Sequence, residues 1–566
     1  MKKILDLRFD GKIEKKDKNI FNKIAENTVE DYILFIEKLS LTNYNNKFWW
    51  LSTLTSRDTI VSPVFFYMVC INYLILKKNE LHKYDCILAD SYEFKNILLT
   101  ILSSNNITIE IKVKANKQKR YKKILSKIYD QLKIISIFIF KITFVKFLNI
   151  IFLFNVNLFK KYKLTLIDTY VSDNFYDYDR YYGDFYESIT DKQKKNFFFI
   201  PTVVSTSYTK IIKILYYIKK NQSKFICKED LLSVFDLFEI LKYHKEKRNI
   251  SLHNCLYKNI DVSDLIINEY FNEKRYFLIY ESILTYKFIQ KLKSKNFDVK
   301  CSINWFENQV IDKFWNLGFK TFYKNTVTKG YQGLIPPNLY LSQKYPTEQE
   351  RLANVLPDKI IVIGKGFLES SSKFLAKKII FPGPALRFSH IFDFKSDNNK
   401  TKFKVLVVLP ASYKITKFMI SAIINLEISK KVRFCFKLHP AIKLNIFNFK
   451  KELKKLYFSD KSFIQELISS DLVICNYTSS ALETLACNKP LIYFNPQSNI
   501  DYISIPKEVD KNLWSISYDE NDLKDQINNF LHKHNNSYFS TRNNNIINDY
   551  FIKPETKNIF NLFELL

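Results

Sequence analysis

Glycine is scarce in this chain, 8 in 566 residues, while Lys, Asn, Ile, Phe and Tyr abound. The bias resembles that of an AT-rich coding sequence. It inflates the lysine count and so tempers what charge alone implies. Cysteine occurs 8 times, but never as a CxxC pair, and no zinc-ligand spacing is present. Most of these thiols sit inside apolar runs, where free cysteine behaves as a small hydrophobe. The opening residues "MKKILDLRFDGKIEKK" hold no continuous apolar core, so no signal peptide is expected. A reducing, cytoplasmic location follows. An RNA-binding aromatic signature and a helix-turn-helix pattern are also missing. The formal charge of +30 therefore points to anionic lipid headgroups or phosphorylated small molecules, and nucleic acid is not the expected partner.

What is present is a large apolar content. Hydrophobic residues make up 47% and aromatics 16%, which excludes a disordered chain. The length exceeds one compact core, so two or three domains are expected. Strand-like runs alternate with helical stretches. "KILDLRF" and "YDCILADSYEF" read as strands around the helical "EDYILFIEKL", and "LTLIDTYVSD" as a strand ending at Asp168. "CSINWFENQVIDKFWNLGF" with "KTFYKNTVT" reads as strand, helix, strand. Such alternation predicts parallel sheets covered by helices on both faces. Trp49 and Trp50, beside Ser56 and Arg57, suit a pocket wall or a core.

One segment breaks the alternation. Over about 112–160 a basic run, "KVKANKQKRYKKILSK", leads into "IISIFIFKITFVKFLNIIFLF". Ile134 to Phe154 is about the length of a membrane span, but Lys141 and Lys146 interrupt it. Each lysine at the centre of a span costs about 2.5–3.5 kcal/mol. A helix lying in the membrane interface, its lysines reaching the headgroups, fits better than a crossing helix. An amphipathic insertion packed on the protein is the other reading.

Five of the glycines, Gly330, Gly333, Gly364, Gly366 and Gly383, fall in one short segment. There they are expected to mark a crossover between domains, beside a cleft where backbone approaches a ligand. From about Pro357 a second α/β unit follows, with "DKIIVIGKGF", "KIIFPGP", "FKVLVVLP", "VRFCFKLHP", "DLVICNYTSS" and "PLIYF" as its strands. Its ligand is expected at the strands' carboxyl ends. The expected domains are 1–345 with the insertion, 346–545, and a terminal helix pair over 546–566.

The chemistry-bearing residues gather at those strand ends. "FCFKLHP" delivers Lys437, His439 and Pro440, and "VICNYTSS" delivers Asn476, Thr478, Ser479 and Ser480 where a helix begins. Hydroxyls and amides at such a place favour an anion, although Ser and Thr there also serve as ordinary N-caps. Glu483 lies one turn in, within reach of a ribose hydroxyl, and His439 with Lys437 would neutralise a leaving phosphate.

The run "KLHP" followed by "NYTSSALETLACNKPLIYF" resembles the C-terminal domain of GT-B glycosyltransferases. More narrowly, it resembles those with HP and SS/ST motifs, namely sialyltransferases, polysialyltransferases, Kdo transferases and CDP-glycerol glycerophosphotransferases. By that resemblance His439, Pro440, Thr478, Ser479 and Ser480 would hold CMP. "FWWLSTLTSRDTIVSP", "INWFENQVIDKFW", "PDKIIVIG" and "FPGPALRF" are similar to bacterial surface carbohydrate biosynthesis proteins.

The implied fold is α/β, two Rossmann-like domains of GT-B type. The implied activity is transfer of a CMP-activated acidic sugar (Kdo, sialic acid or another nonulosonate) to a lipid-linked or polysaccharide acceptor. The enzyme would sit peripherally on the inner face of the cytoplasmic membrane. Glu307, at a strand–helix junction, is the first candidate for general base, ahead of Asp168 and Asp90. Arg387 can pair with a donor carboxylate. Asp177 and Asp179 form a DxD spacing in a Tyr-rich loop, read as solvated, so neither an essential metal nor another cofactor is expected. CDP-glycerol or UDP-sugar chemistry, a non-catalytic assembly role, and basic nucleic-acid binding are the alternatives.

Overall fold

The computed structural model of the chain describes residues 3–114, 120–172, 176, 179–396, 402–429, 431–440, 456–496, 499–535 and 544–564. Asp177 of the DxD spacing and residues 115–119 of the insertion lie outside them.

Three parallel sheets carry the fold. Ile4–Asp6, Cys86–Ala89 and Glu110–Val113 form the first, in that order. The second has six strands. From one edge they are Ile380–Pro382, Lys359–Val362, Val327–Gln332, Asp298–Trp305, Lys163–Val171 and Phe197–Val203. The third has five: Val432–Lys437, Phe403–Val408, Leu472–Cys475, Leu491–Phe494 and Trp514–Ser517. Its central strands read as unbroken apolar runs because helices cover both faces. Leu472, Val473, Ile474 and Cys475 are all fully buried. The second and third sheets are the two Rossmann-like halves of a GT-B fold, and a cleft lies between their carboxyl edges.

In each of these two sheets the order follows one rule. The first strand lies between the second and the third, so the winding reverses beside it. Ligands of doubly wound sheets sit at the carboxyl ends of the two strands flanking that reversal. In the six-stranded sheet these are Lys163–Val171 and Asp298–Trp305; in the five-stranded sheet they are Phe403–Val408 and Leu472–Cys475.

Two segments lie elsewhere than their sequence suggests. Lys359–Val362 and Ile380–Pro382 join the six-stranded sheet, with Ile360 opposite Gly330 and Ile380. The second Rossmann-like sheet therefore starts at Phe403. A short apolar run reads alike in either sheet, and only pairing partners distinguish the two. The terminal helices Asn544–Tyr550 and Thr556–Phe563 return to the first half. Ile552 N donates to Ile363 O at 2.8 Å, Lys329 Nζ donates to Leu562 O at 3.1 Å, and the Phe185 and Phe563 rings stack.

The clustered glycines serve this packing. A Cβ on Gly364 would lie 2.2 Å from the Tyr550 backbone, so the close approach is between two chain segments, with no need of a ligand. Trp49 and Trp50 are core residues, 0% and 2% exposed. All eight cysteines are buried and free.

The long helix Arg120–Ile151 packs on the six-stranded sheet's flank. Of the two lysines that interrupt its apolar run, neither is left to a headgroup as the interface reading expected. Lys141 is buried between Glu229 and Glu281, 3.2 Å from each, and Lys146 donates to the Asp230 carbonyl. For Lys141 the two carboxylates offer a better partner than a distant headgroup.

Candidate functional site

One cavity of about 690 Å³ lies between the two carboxyl edges. Both winding reversals open into it. From the six-stranded sheet come Arg180 and Tyr181, beyond Lys163–Val171, with Trp305 and Glu307 at the end of Asp298–Trp305. From the five-stranded sheet come Ala411, Ser412 and Lys414 beyond Phe403–Val408, and Asn476 to Ser479 beyond Leu472–Cys475. His439 joins them from the edge strand Val432–Lys437. Phe9 and Asp10, after the first strand of the small sheet, close one side. That side is latched to the second half, because Asn499 accepts from Ile13 N at 2.8 Å and donates to Arg8 O at 3.0 Å.

Six sequence candidates therefore share the cavity: Glu307, Arg387, His439, Asn476, Thr478 and Ser479. Both oxygens of Glu307 are held, Oε1 by Trp305 Nε1 at 2.8 Å and Oε2 by Gln343 Nε2 at 2.9 Å. Glu307 does not start the following helix. That task falls to Asp312, which accepts from the backbone N of Glu307 at 3.0 Å and of Gln309 at 2.9 Å.

Behind this loop, fully buried Glu350 pairs with Arg57 and Lys313, each at 2.9 Å. Asn308 donates to it at 3.1 Å. Burial alone would raise the Glu350 pKa, but the two cations outweigh burial and hold it at about 2. This buried cluster fixes the turn that carries Glu307.

Three cationic or protonatable groups, Arg180, Arg387 and His439, converge in the same cavity. Burial, then repulsion from Arg180 and Arg387, holds the His439 ring below its ordinary pKa. Burial and Arg180 likewise lower the Arg387 pKa, while Glu483, Tyr181 and Glu307 pull the other way. Groups that repel one another across a cavity make a place where an anion is favoured.

The hydroxyl cluster divides its tasks. Thr478 Oγ1 accepts from Ser480 N and donates to Ser480 Oγ, both at 3.3 Å. Ser479 makes no side-chain cap bond to the helix Ser480–Ala486, so its hydroxyl is not taken up as an N-cap. Asn476 is tied back by a 2.6 Å bond to Phe494 O.

The remaining candidates lie off the cavity wall. Lys437 donates to the carbonyls of Ser459 and Lys461, because strand alternation carries its side chain to that neighbouring turn. Glu483 is engaged by His390, Nε2 to Oε1 at 2.6 Å. Ser480 is turned to Thr478, and Pro440 forms the turn after His439.

Asp168 sits mid-strand and is only 2% exposed, its pKa pushed to about 7 by burial despite Lys228. Asp90 accepts from Tyr67 OH and Phe9 N. Asp179 organises its own loop, accepting from the backbone N of Tyr181 and Tyr182. Among the described residues no group of three His, Cys, Asp or Glu is placed to hold a metal ion.

Sequence reasoning missed Arg180, Tyr181, Gln343, Ser412 and Lys414 as cavity residues. The winding-reversal rule could have found Ser412 and Lys414, which follow "KVLVVLP" directly. Arg180 stands in the tyrosine-rich loop that looked solvated.

No family model and no curated protein matches the chain. Solved structures do. A UDP co-structure of MnaA from S. aureus is 10% identical, with 69% of this chain and 93% of that chain covered at a TM-score of 0.40. The wall teichoic acid polymerase TagF is 9% identical, with 79% and 97% covered at 0.38. The lipopolysaccharide outer core galactosyltransferase WaaB is 12% identical, with 71% and 99% covered at 0.36. These scores are all below 0.5, and it is the cleft's own residues that carry the functional reading.

Proposed function

We propose that the chain is a glycosyltransferase whose nucleotide-activated donor seats its phosphate against Arg180, Arg387 and His439. The observation that carries this is the convergence of those three groups with Thr478 and Ser479 in one interdomain cavity, beside the anchored Glu307. The acceptor hydroxyl attacks the anomeric carbon and gives its proton to Glu307. The bond from that carbon to the phosphate oxygen breaks, and the nucleotide leaves with the electron pair. The two guanidinium groups and the imidazole stabilise the charge that develops on the departing phosphate.

The preferred donor is a CMP-activated acidic sugar. Such a donor carries a phosphate and a sugar carboxylate, and the cavity offers two arginines with His439 for two anions. The acceptor is a lipid-linked or growing surface glycan. A UDP-sugar is the second reading, since a diphosphate would occupy the same two arginines.

Release of free nucleotide, measured for CMP-Kdo, CMP-sialic acid, CDP-glycerol and UDP-sugars with a lipid-linked glycan acceptor, tests this. CMP release that depends on acceptor and on Glu307 supports it. No release from any donor overturns the transferase reading and favours a non-catalytic assembly role.

A further inference from the structure

The long apolar helix is turned inside out. Among the described residues it is the one helix long and apolar enough to cross a membrane, Leu125–Ile151, 27 residues. Yet Lys141 is 1% exposed and paired with Glu229 and Glu281, while Ile137, Phe138, Ile142, Val145 and Leu148 enter the core. A crossing helix would strip those acids of their partner. The outward stripe is mostly apolar instead, interrupted by Ser136 and Thr143. Leu125, Leu132, Ile139, Phe147 and Ile150 are exposed, Ile150 by 75%, and their spacing keeps them on one helix face.

Neighbouring elements widen this face. On the helix Tyr208–Lys220, Tyr208, Ile212 and Tyr216 recur one turn apart and are exposed. Phe140 meets Tyr208 with ring centroids 5.1 Å apart, and Phe152 meets Tyr216 at 5.5 Å. The turn Val234–Leu237 also touches the long helix and exposes Phe235 by 78%, with Phe238 exposed just beyond. An apolar face of this extent needs a partner. Charge selects which one. Tyr208–Lys220 carries no acid, and besides Lys219, which is buried against Asp230, it bears Lys210, Lys213 and Lys220. Lys133, Lys160, Lys161, Lys213 and Lys220 are exposed.

Direction matters as well. The long helix runs alongside Tyr208–Lys220 in the same sense, as its contacts at both ends show. Tyr208 itself stands just past the carboxyl end of Phe197–Val203. Residues 120–135, about 24 Å of helix, thus lie on the N-terminal side of the Phe140–Tyr208 contact, toward the carboxyl end of Phe197–Val203.

We propose that these three elements form a docking face for an anionic lipid bilayer, lying in the headgroup plane and bringing the cleft to the membrane. The apolar stripe enters the acyl boundary while the lysines meet lipid phosphates.

Co-flotation of the full chain with phosphatidylcholine vesicles, with and without phosphatidylglycerol, tests it. The chain is expected to float with the anionic vesicles and much less with phosphatidylcholine alone or at high salt. Ile139→Glu/Phe147→Glu, and separately Ile150→Glu or Phe235→Glu, should cut the bound fraction about ten-fold or more, with unchanged melting temperature. Failure of the parent to float, or variants floating as the parent does, overturns the proposal. A surface substitution that instead lowers the particle mass by light scattering, without vesicle binding by the parent, assigns the face to a second copy and also overturns it.

Discussion

Gln343 Nε2 donates to Glu307 Oε2 at 2.9 Å, while Trp305 Nε1 holds Oε1 at 2.8 Å. The carboxylate at the centre of the cleft is thus aimed by residues before and after it in the chain. Replacing the carboxylate by an amide keeps the shape and removes the base. Glu307→Gln is expected to lower kcat by about 10²–10⁴-fold while nucleotide-induced stabilisation is retained. Steady-state kinetics beside thermal shifts read the two effects separately.

Gln343→Ala should act through position. With Oε2 released, kcat is expected to fall less than in Glu307→Gln while KM changes little, and Gln343→Glu should not restore it. A merely structural role would instead lower the melting temperature and leave kcat unchanged.

Arg180 and Arg387 are expected to contribute to nucleotide affinity and little to stability. A charge-assisted hydrogen bond is worth about 1.5–3 kcal/mol, so either alanine variant should weaken nucleotide binding about 10–150-fold. Calorimetric titration checks this. Unchanged affinity in both variants would move the phosphate elsewhere in the cavity.

His439 gives the binding a pH signature. Burial and the two arginines hold its folded pKa below the ordinary 6.5, so it is largely neutral at pH 7 in the unliganded cleft. A bound phosphate offsets the arginines and raises that pKa. Binding is then accompanied by proton uptake, and affinity should rise as pH falls toward 6. Titrations in buffers of different ionisation enthalpy measure the uptake, and His439→Ala should abolish it.

Glu350 contributes to acid stability. Its folded pKa is about 2, below the unfolded value of about 4.3. The stabilisation is therefore present above about pH 4.3 and lost as pH falls toward 2. Glu350→Gln leaves Arg57 and Lys313 buried without their counter-charge, with an expected cost of about 3–5 kcal/mol. Denaturant unfolding at neutral pH should show that loss, and the variant's stability should respond less to acid across the window.

Much of this architecture is legible in the sequence because short β-branched runs ending in small polar residues announce parallel strands. His439, Thr478 and Ser479 could be named for that reason, each falling at a strand's carboxyl end. Glu307 was reachable by the same logic. What the runs do not carry is their pairing. Lys359–Val362 reads like any strand of the second unit and joins the first. Side-chain direction is equally hidden. Lys437 belongs to the right strand but leans toward Lys461, and Glu483 is taken by His390, 93 positions away. Arg180 escaped notice because its loop has no strand-like pattern; only the fold brings it beside Arg387. The lysines of the long helix looked like breaks in an apolar face. Their partners, the Glu281 carboxylate and the Asp230 carbonyl, stand 84 residues or more downstream.

The central claim is that a nucleotide binds where the two winding reversals meet, and thermal stabilisation tests it most directly. The parent and His439→Ala should be melted with CMP, CDP, UDP, GDP and ADP. A ligand that binds only the folded state raises its stability by about 2.7 kcal/mol at a hundred times its Kd. The account predicts a clear rise in melting temperature with CMP for the parent, lost or sharply reduced in His439→Ala. No shift with any nucleotide, or an equal shift in both proteins, would contradict it.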